Sequence, residues 1–295
     1  MSVETIVVTG GSGTIGRAAL AALNEHGYHT VNCNRGEPEG SPEADYRRVN
    51  LTDFDAVSAA LSTVDPDAVV HLGMIPTPDH EPGHAVFESN AMSTYHVLDT
   101  AQELGVETVV LASSLSAMGA GFEPDLISPP YLPIDESVPL EPSNAYGMGK
   151  QALELVADGF GRRDGSPRTI TSLRFPWVTD RETQRETFLE ADRRLPGIEA
   201  AGRMHADHNT LFSYLDIDDA VRAIRLAVEA DFTGHESVFL SAPDTSCETP
   251  TAEVVAERYP DVDLRAEFAG HESLIETDKA AELLDWVPRH SWRDL

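Results

Sequence analysis

The chain contains very little lysine and very little cysteine. Its 21 basic residues include only two lysines, Lys150 and Lys279, and all the others are arginines. The two cysteines, Cys33 and Cys247, are too few for a disulfide framework and show no metal-ligand spacing, so no metal site is predicted. This cysteine content is typical of a reducing cytoplasm. In a composition so poor in lysine, each retained lysine requires an explanation.

Long hydrophobic runs and a leader sequence are also missing. The longest apolar stretches have the length of a strand, well short of the roughly 20 residues that cross a bilayer. The first residues, Met1 to Glu4, lead directly into a predicted strand and lack the basic and apolar regions of a signal peptide. We therefore expect a cytoplasmic protein with no membrane partner.

Acidic residues dominate the charge of the chain. The 50 Asp and Glu residues outnumber the 21 Lys and Arg residues, which gives a formal net charge of −29, and the acids are dispersed along the sequence. Such a field repels nucleic acid and anionic membranes, so neither is expected as a partner. Salt screens this repulsion. The composition therefore favours a salt-adapted, halophilic source over a merely acidic mesophilic protein.

Strand-like and helix-like segments alternate through the first 175 residues. The sequence predicts a buried strand at residues 5–9 and further strands at 29–34, 46–49, 68–72, 108–113 and 169–174, with helices between most of them. This alternation predicts an α/β fold with a Rossmann-like, doubly wound parallel sheet. A proline-rich loop at residues 116–143 is too long for a simple connector and is a candidate substrate-covering segment.

A glycine-rich turn follows the first predicted strand. Its sequence, from residue 9, is Thr9-Gly10-Gly11-Ser12-Gly13-Thr14-Ile15-Gly16. Glycines at positions 10, 13 and 16 let the backbone turn tightly, approach a pyrophosphate, and pack the next helix close to the sheet. The helix N-terminus then offers free N–H groups to the phosphates. Because a strand precedes the turn and a helix follows it, the turn predicts a dinucleotide site.

The end of the second predicted strand bears on the choice of dinucleotide. NAD sites usually place an acid there for the ribose hydroxyls. This chain has Asn34-Arg35 at that point and no acid until Glu37. An arginine can pair with the 2′-phosphate of NADP and stack on adenine. NADP is therefore the favoured cofactor and NAD the alternative, unless Arg35 simply faces solvent.

The alternation of strands and helices weakens beyond residue 175. We assign residues 1–175, including the helix that carries Tyr146 and Lys150, to an NAD(P)-binding Rossmann domain. Residues 176–295 are assigned mainly to a smaller, discontinuous C-terminal substrate-side domain, with segments at about 211–240 returning to the first domain. Within that region the sequence predicts a strand at 211–215, a helix at 218–230, a strand at 238–241 and a helix at 278–284.

Tyr146 and Lys150 lie four residues apart in a predicted helix. Residues at i and i+4 share a helix face. A neighbouring ammonium favours the phenolate and lowers the tyrosine pKa from its ordinary value of about 10. Such a tyrosine can act as an acid or base near neutral pH. A solvated helix pair is the alternative, because this spacing also occurs by chance.

Taken in order, these motifs resemble those of the extended short-chain dehydrogenase/reductases, a group that contains nucleotide-sugar epimerases, dehydratases and some sugar dehydrogenases. The resemblance covers essentially the whole chain. It rests on the glycine turn, Asn50-Leu51-Thr52-Asp53, His71-Leu72-Gly73, Asn90, Ser113-Ser114-Leu115-Ser116-Ala117-Met118-Gly119, and Tyr146 with Lys150.

The resemblance implies a role for each matching residue. Tyr146 would take the proton of a sugar hydroxyl while hydride passes to the nicotinamide, Lys150 would hold the nicotinamide ribose, and Ser114 would orient the reacting oxygen. Asn90 would either serve a water relay or hold helix geometry. The implied cofactor-binding residues are Gly10, Gly13, Thr14, Ile15, Gly16, Asn34, Arg35, Asn50, Leu51, Leu72, Gly73, Tyr146, Lys150 and Pro176. The implied substrate-binding residues are Met74, Ser114, Ser116 and Trp177.

Departures from the family pattern bear on the substrate. Nucleotide-sugar enzymes commonly have an asparagine three residues after the arginine that ends the sixth strand, and here Trp177 takes its place. An indole suits a free sugar ring better than a diphosphate. The resemblance therefore favours oxidation of a free aldose or uronic acid at C1 to the lactone. A nucleotide-sugar epimerase or dehydratase is the alternative, and a non-catalytic dinucleotide-binding protein is a third reading.

Other signals carry less weight. Arg181 and Arg185 are either ligands for a substrate carboxylate or solvated helix charges. The segment His80-Glu81-Pro82-Gly83-His84 satisfies a zinc-protease pattern, but that site needs a continuous helix, which consecutive proline and glycine oppose. We therefore reject zinc hydrolysis. The expected assembly is a homo-oligomer, either a dimer or a tetramer.

Overall fold

The computed structural model describes residues 3–36, 44–79 and 81–295. Seven strands of this part of the chain form one sheet, in which every neighbouring pair is parallel and the spatial order is β10-β7-β5-β4-β1-β2-β3. Two further pairs, β6 with β11 and β8 with β9, lie outside it. The predicted Rossmann-like parallel sheet is therefore confirmed. In chain order the strands are β1 (Thr5–Thr9), β2 (His29–Asn34), β3 (Asp45–Arg48), β4 (Ala68–His71), β5 (Thr108–Ser114), β6 (Tyr131–Leu132), β7 (Thr169–Phe175), β8 (Val178–Thr179), β9 (Leu215–Asp216), β10 (Gly234–Phe239) and β11 (Asp263–Leu264).

Helices flank the sheet. None of the helices in the described ranges combines the length and the apolar content needed to cross a bilayer. The α-helices are α1 (Thr14–Glu25), α2 (Phe54–Val64), α3 (Gly83–Leu104), α4 (Ala145–Gly161), α5 (Arg181–Gln184), α6 (Leu195–Ala200), α7 (Met204–Asn209), α8 (Ile217–Glu229), α9 (Thr251–Arg258) and α10 (Asp278–Leu284). A π-helix continues α5 at Arg185–Leu189, and short 3-10 helices lie at Leu115–Met118 and Trp292–Asp294.

The predicted strands of the first 175 residues coincide with the observed strands. β1 and β2 have the predicted bounds, and β3, β4, β5 and β7 differ by one residue at one or both ends. The aliphatic and β-branched runs of β1, β4, β5 and β7 are buried almost throughout, which is the pattern of a parallel sheet covered on both faces, whereas the edge strand β3 is mostly exposed.

The predicted strand at residues 211–215 is wrong. Only its last residue is in a strand, β9, whereas Leu211 and Phe212 adopt left-handed backbone conformations with φ angles of 56° and 51°. Both side chains are fully buried. The apolar run therefore fills a core from a tight turn, a conformation rare for residues other than glycine. The strand predicted at 238–241 also begins earlier, as β10.

The sheet separates two apolar clusters. On β1, Ile6 and Val8 point to the face covered by α1, α8 and α10, while Val7 points to the face covered by α2, α3 and α4. This alternation follows from the two-residue repeat of a strand. The helix that carries Tyr146 and Lys150 is therefore fixed on the second face.

Some residues beyond β7 pack on the main sheet, and others belong to a separate apolar cluster. α8 packs on the first face of the sheet, and β10 pairs with β7 over its whole length. Residues of α6, α7 and α9 instead share a separate apolar cluster with Tyr131 and Leu132 of β6 and with the buried Phe212. The division of the chain into two domains at residue 175 stays a prediction.

The proline-rich segment at 116–143 is anchored to α7. The fully buried Asn209 donates from Nδ2 to the backbone oxygens of Glu123 (3.2 Å) and Asp125 (2.8 Å). Its Oδ1 accepts from the backbone nitrogen of Ile127 (3.1 Å). Buried backbone groups require such partners. The Asn209 side chain therefore holds residues 123–127 of the segment in place against α7. A substrate-covering role for the segment stays a prediction.

Candidate functional site

The strand order reverses at β1. β2 and β3 lie on one side of β1, whereas β4, β5, β7 and β10 lie on the other. Ligands of doubly wound sheets bind above the carboxyl ends of the strands at such a point. Four predicted segments meet at this edge because they follow four of these parallel strands, namely the glycine turn, Leu72-Gly73, Ser114 and Pro176.

The glycine turn packs closely against the segment that follows β4. Gly10 has a φ of 70°, and a Cβ there would lie 2.6 Å from the Gly73 backbone. A Cβ at Gly16 would collide with the carbonyl oxygen of Gly10. α1 begins at Thr14 with neither a side-chain cap from Gly13 nor an acid in its first turn, so its N–H groups suit a phosphate. These residues, together with Ile15 of the first turn, fit a pyrophosphate.

Three arginines gather where β2 and β3 end. Arg35 is exposed directly after β2, and its backbone oxygen accepts a hydrogen bond from Arg48 Nε (3.2 Å). The strand register pairs Cys33 with Arg47, which is also exposed. The side-chain oxygen of Asn34 accepts from the backbone nitrogen of Arg35 (2.9 Å), which fixes the start of this turn. Glu37, the first acid after it, lies outside the described residues.

The predicted adenine-side turn packs against the end of β4. A Cβ at Gly73 would collide with the Leu51 side chain, which is buried. Asn50 uses its side-chain oxygen within the turn, where it accepts from Thr52 Oγ1 (3.1 Å). Leu72 donates its backbone N–H to the Thr9 carbonyl (3.1 Å), which ties this segment to β1. The structure therefore brings Asn50, Leu51, Leu72 and Gly73 together beside the glycine turn.

The buried side chain of His71 holds the end of β4 in place. His71 Nδ1 lies 2.7 Å from Thr9 Oγ1 and its Nε2 lies 3.0 Å from Ser93 Oγ. Thr9 Oγ1 also accepts from the backbone nitrogen of Gly73 (3.1 Å). Burial, with a smaller effect of the Lys150 charge, lowers the pKa of His71 to about 3. The imidazole is therefore neutral and serves as a structural bridge between β1, β4 and α3.

The Asn90 side chain forms hydrogen bonds with the backbone of the segment that follows β4. Its Oδ1 accepts from the backbone nitrogen of Ile75 (3.1 Å), and its Nδ2 donates to the Ile75 oxygen (3.2 Å). The residue is fully buried, and a Cβ at Gly149 of α4 would lie 2.9 Å from it. Of the two roles left open for Asn90, this geometry favours holding the α3–α4 contact over relaying water.

The start of α4 brings Tyr146 to Ser114. Asn144 caps the helix, and its side-chain oxygen accepts from the Gly147 backbone nitrogen (2.9 Å). A Cβ at Gly147 would lie 2.6 Å from the Ser116 carbonyl oxygen, so the helix lies directly against the segment that follows β5. The Ser114 hydroxyl lies close enough to Tyr146 to lower the pKa of its phenol. Both side chains are buried.

The electrostatics of Tyr146 differ from expectation. Burial raises the pKa of Tyr146 above its ordinary value, and the nearby Ser114 hydroxyl lowers it only in part. The prediction that Lys150 lowers this pKa is therefore wrong for the protein alone, although Lys150 Nζ lies 5.4 Å from the ring centroid. Desolvation of the phenolate outweighs the ammonium. An oxidised nicotinamide, which carries a positive charge, would favour the phenolate.

Lys150 is a buried ammonium with two protein acceptors. Its Nζ donates to the Ala112 carbonyl oxygen (2.6 Å) and to Met74 Sδ (3.3 Å). Met74, a predicted substrate residue, thus contacts this lysine, and its contact with substrate stays a prediction. Burial lowers the pKa of Lys150 to about 7, and the charge of Glu154 acts in the opposite direction. Because an ammonium has three N–H donors, one remains for a ribose hydroxyl.

The remaining predicted substrate residues follow the ends of β5 and β7. Ser114 is in register with Phe175, so Pro176 and Trp177 follow beside the Ser114 end of β5. Trp177 is 41% exposed and makes an edge contact with Phe188, the ring centroids being 5.9 Å apart. Arg181 and Arg185, on α5 and the π-helix, are exposed. Ser116 is buried in the 3-10 helix after Ser114.

The sequence analysis missed two groups beside the predicted catalytic residues. Glu154 and Arg174 form a buried ion pair (2.7 Å) one helical turn beyond Lys150. The i+4 spacing from Lys150 was the signal that could have found Glu154. The Phe122 ring makes an edge contact with Tyr146, the centroids being 5.5 Å apart. That contact joins a loop to a helix, so no local spacing indicates it.

The rejected zinc pattern falls at the start of α3. Pro82 is the residue before the helix, which begins at Gly83, so the first half of the pattern precedes the helix. His80 lies outside the described residues. Among the residues that the structure does describe, no cluster of His, Cys, Asp and Glu has the arrangement of a metal site.

Comparisons with known proteins agree with this geometry. The sequence profile of the family described as "NAD dependent epimerase/dehydratase family" matches residues 6–240. A UDP-glucose 4-epimerase of Corynebacterium glutamicum is 26% identical over 97% of this chain and 91% of its own length. An NAD-dependent glucose-6-phosphate dehydrogenase of Haloferax volcanii is 30% identical over 52% of this chain and 61% of its own length.

A solved structure has the same fold. The crystal structure of a glucuronic acid dehydrogenase from Chromohalobacter salexigens superposes with a TM-score of 0.68, over 99% of this chain and 87% of its own, at 20% identity. At that identity the similarity concerns the fold.

Gly10→Ala should weaken dinucleotide binding and stability more than Gly27→Ala does. Both glycines have positive φ, 70° and 91°, so alanine meets about 1–2 kcal/mol of backbone strain at either site. Only at Gly10 would the added Cβ also strike the Gly73 backbone, whereas nothing lies within 4 Å at Gly27. Thermal unfolding and fluorescence titration with NADP⁺ measure both effects. Equal losses in the two variants would contradict a close approach of the turn to β4.

Proposed function

We propose, from the premise that the chain belongs to the NAD dependent epimerase/dehydratase family, that it is an NAD(P)-dependent oxidoreductase. Its proposed reaction is the oxidation of a free aldose or uronic acid at C1 to the lactone. The observation that carries this proposal is the buried arrangement of Ser114, Tyr146 and Lys150 beside the glycine turn. An acid/base, a hydrogen-bond donor and a ribose-binding ammonium are what hydride transfer from an alcohol requires.

Each residue has a defined task in this proposal. Tyr146 takes the proton of the C1 hydroxyl while the C1 hydride passes to the nicotinamide, so a C=O bond forms as O–H and C–H bonds break. Ser114 donates a hydrogen bond to the same oxygen and orients it. Lys150 gives its third N–H to the nicotinamide ribose and keeps its charge near the phenolate. The high pKa of Tyr146 in the protein alone implies that this step needs the bound, positively charged nicotinamide ring.

The residues after β7 support a free sugar over a nucleotide-linked one. Trp177 is half-exposed and contacts Phe188 in an edge arrangement, so part of its indole surface is accessible. Nucleotide-sugar enzymes commonly have a diphosphate-binding asparagine at this position. Arg181 and Arg185 are exposed nearby along the chain and suit a carboxylate better than a neutral aldose. The relative from Corynebacterium glutamicum supports the second candidate, a nucleotide-sugar 4-epimerase. That enzyme type retains its cofactor and shows no net reduction of nicotinamide.

NADP is the proposed cofactor, with NAD as the alternative. Arg35, Arg47 and Arg48 place three guanidinium groups at the ends of β2 and β3, where the adenosine ribose lies in doubly wound folds. A 2′-phosphate adds negative charge that such groups bind well. The family and the relative from Haloferax volcanii, both described as NAD-dependent, support the alternative.

The protein is also proposed to be a homo-oligomer that pairs through α3 and α4. Phe87, Met92 and Tyr95 of α3 and Met148 and Leu155 of α4 are between 38% and 68% exposed. Phe87, Met148 and Leu155 line one groove, so the two helices share this apolar face. A second copy is its proposed occupant because a two-fold pairing covers the face with an identical one. Like-charged surfaces elsewhere on a chain of net charge −29 repel each other.

A substrate panel tests the function. Purified protein at molar salt is given NAD⁺ or NADP⁺ with free aldoses, uronates and nucleotide sugars, and absorbance is read at about 340 nm, the band of reduced nicotinamide. We expect reduction with a free sugar and none with nucleotide sugars. Tyr146→Phe should lower kcat by about 10²- to 10⁴-fold and leave cofactor binding nearly unchanged, because it removes only the acid/base. Turnover of nucleotide sugars alone, without net reduction, would establish the epimerase reading instead.

Arg35→Ala should weaken NADP⁺ binding by about 10- to 100-fold, because a hydrogen bond to a charged group contributes about 1.5–3 kcal/mol. NAD⁺, which lacks the 2′-phosphate, should bind nearly as well as before. Isothermal titration with both cofactors measures the difference. Arg162→Ala is the matched control, since Arg162 is an exposed arginine at the far end of α4. A parallel loss for NAD⁺ and NADP⁺ would show that Arg35 does not select the cofactor.

Leu155→Glu should convert the oligomer to monomers, because it places a carboxylate in the centre of the proposed apolar face. Leu155 is 68% exposed in the single chain, so the substitution costs the monomer little. Leu126→Glu is the control, with a similarly exposed leucine (51%) on the loop after β5. Sedimentation equilibrium at high salt gives the mass of each. A wild-type monomer, or a dimer that survives Leu155→Glu, would contradict this interface.

A further inference from the structure

Glu154 is a buried carboxylate that the proposed chemistry does not use directly. It is 4% exposed. Its Oε1 accepts from Ser113 Oγ (2.5 Å) and Arg174 Nε (3.0 Å). Its Oε2 accepts from Arg174 Nη2 (2.7 Å) and Ser237 Oγ (3.0 Å). Four hydrogen bonds from three residues fill the acceptor positions of the carboxylate, so it is held in one orientation.

Glu154 and Lys150 contact consecutive residues of β5. Lys150 Nζ donates to the carbonyl oxygen of Ala112, and Glu154 accepts from the side chain of Ser113. The next residue is Ser114. Because residues at i and i+4 share a helix face, α4 is clamped to the end of β5 at two neighbouring points. The distance between Ser114 and the helix that carries Tyr146 depends on this clamp.

The charged and titratable groups around the clamp come from five elements and one loop. Lys150 faces Tyr146 on α4 and the neutral His71 on β4, and Glu154 faces Arg174 on β7. A groove of about 680 Å³ opens beside Glu154 and Arg174. Its other charged or titratable lining residues are Glu136, Asp158, His235, Glu236 and Lys279.

We propose that Glu154 is a positioning residue for the Ser114–Tyr146–Lys150 site: its carboxylate holds the end of β5 against α4 and keeps a negative charge one helical turn from the Lys150 ammonium. The inference rests on the proposed role of Lys150. Under this proposal the Glu154–Arg174 ion pair supports the reaction as well as joining α4 to β7.

The direction of the electrostatic effect follows from the two charges. Burial lowers the pKa of Lys150 to about 7, and the Glu154 carboxylate opposes this lowering. If that carboxylate became an amide, Arg174 would remain as a buried cation nearby. Lys150 would then lose its proton at a lower pH, and the fraction of protein with a charged Lys150 at neutral pH would fall.

The scarcity of lysine makes this measurable without any substrate. Protein labelled with ¹³C at lysine Cε gives only two signals, and Lys279→Arg identifies the one from Lys150 while retaining a cation for Glu236 (2.8 Å). In the full chain, the Lys150 signal should titrate at about 7. In Glu154→Gln it should titrate at a lower pH than in the wild type, because the charge that raises the Lys150 pKa is removed.

A double variant covers the case in which Glu154→Gln alone fails to fold. Glu154→Gln/Arg174→Met removes both charges and leaves no unpaired buried cation, which protects the fold. Its Lys150 signal should titrate between that of the wild type and that of Glu154→Gln. If the Lys150 pKa is the same in wild type and in the folded variants, the electrostatic part of the proposal is wrong.

Two serines test the clamp. Ser113→Ala and Ser237→Ala each remove one hydrogen bond from the same carboxylate, but only Ser113 lies on β5 beside Ser114. Ser113→Ala should lower kcat by about tenfold or more, since small displacements of reacting groups cost this much. Ser237→Ala should leave kcat within about twofold of wild type. Equal effects of the two substitutions would show that Glu154 acts only as a member of a structural ion pair and would contradict the proposed clamp.

The outcomes separate this inference from the proposed function. The lysine titration uses no sugar, so it supports or overturns the role of Glu154 even if the panel reveals an epimerase. In whichever assay shows turnover, Glu154→Gln should also move the alkaline limb of the kcat–pH profile to lower pH, because activity needs the charged Lys150. A purely structural role for Glu154 would lower stability and leave that limb in place.

Discussion

The site depends on one constraint, the burial of the Lys150 ammonium between α4 and β5. Burial of a cation carries a large free-energy cost unless acceptors surround it. Here the Ala112 carbonyl and the Met74 sulfur supply two of them, and a charge one turn away on Glu154 offsets part of the desolvation. The pKa near 7 shows that the compensation is incomplete. The third N–H donor has no hydrogen-bond partner among the described residues, and the proposed function assigns it to the nicotinamide ribose.

Much of the fold was predictable because its signals are local. Runs of aliphatic and β-branched residues identified β1 and β2 to the residue, and the glycine turn after β1 predicted a close approach that the structure has at Gly10 and Gly73. The strand at 211–215 was mispredicted for a physical reason. Its apolar residues are buried as expected, but they are buried from a left-handed turn, and apolar periodicity cannot distinguish the two over so short a segment.

The site was predictable as a set of residues and less so as an electrostatic system. Ser114, Tyr146 and Lys150 meet as the resemblance implies, since the ends of parallel strands and one helix bring them together. The pKa of Tyr146 was mispredicted because sequence spacing reveals a neighbouring charge and says nothing of desolvation, which dominates here. Asn90 was left open between two roles. Only tertiary contacts show that both ends of its amide are bonded to Ile75.

The two lysines of this chain now have different explanations. Lys279 bridges α10 to Glu236 of β10 across a partly exposed surface, a contact that an arginine could make equally well. Lys150 occupies a place that arginine cannot fill. A guanidinium is planar, presents five donors, and keeps its charge at any physiological pH. The space between Ala112, Met74 and the Tyr146 ring admits a compact ammonium whose charge Glu154 can adjust. Under the proposed function, a composition that uses arginine for almost all of its positive charge retains lysine at position 150 because the size and the acidity of the group both matter there.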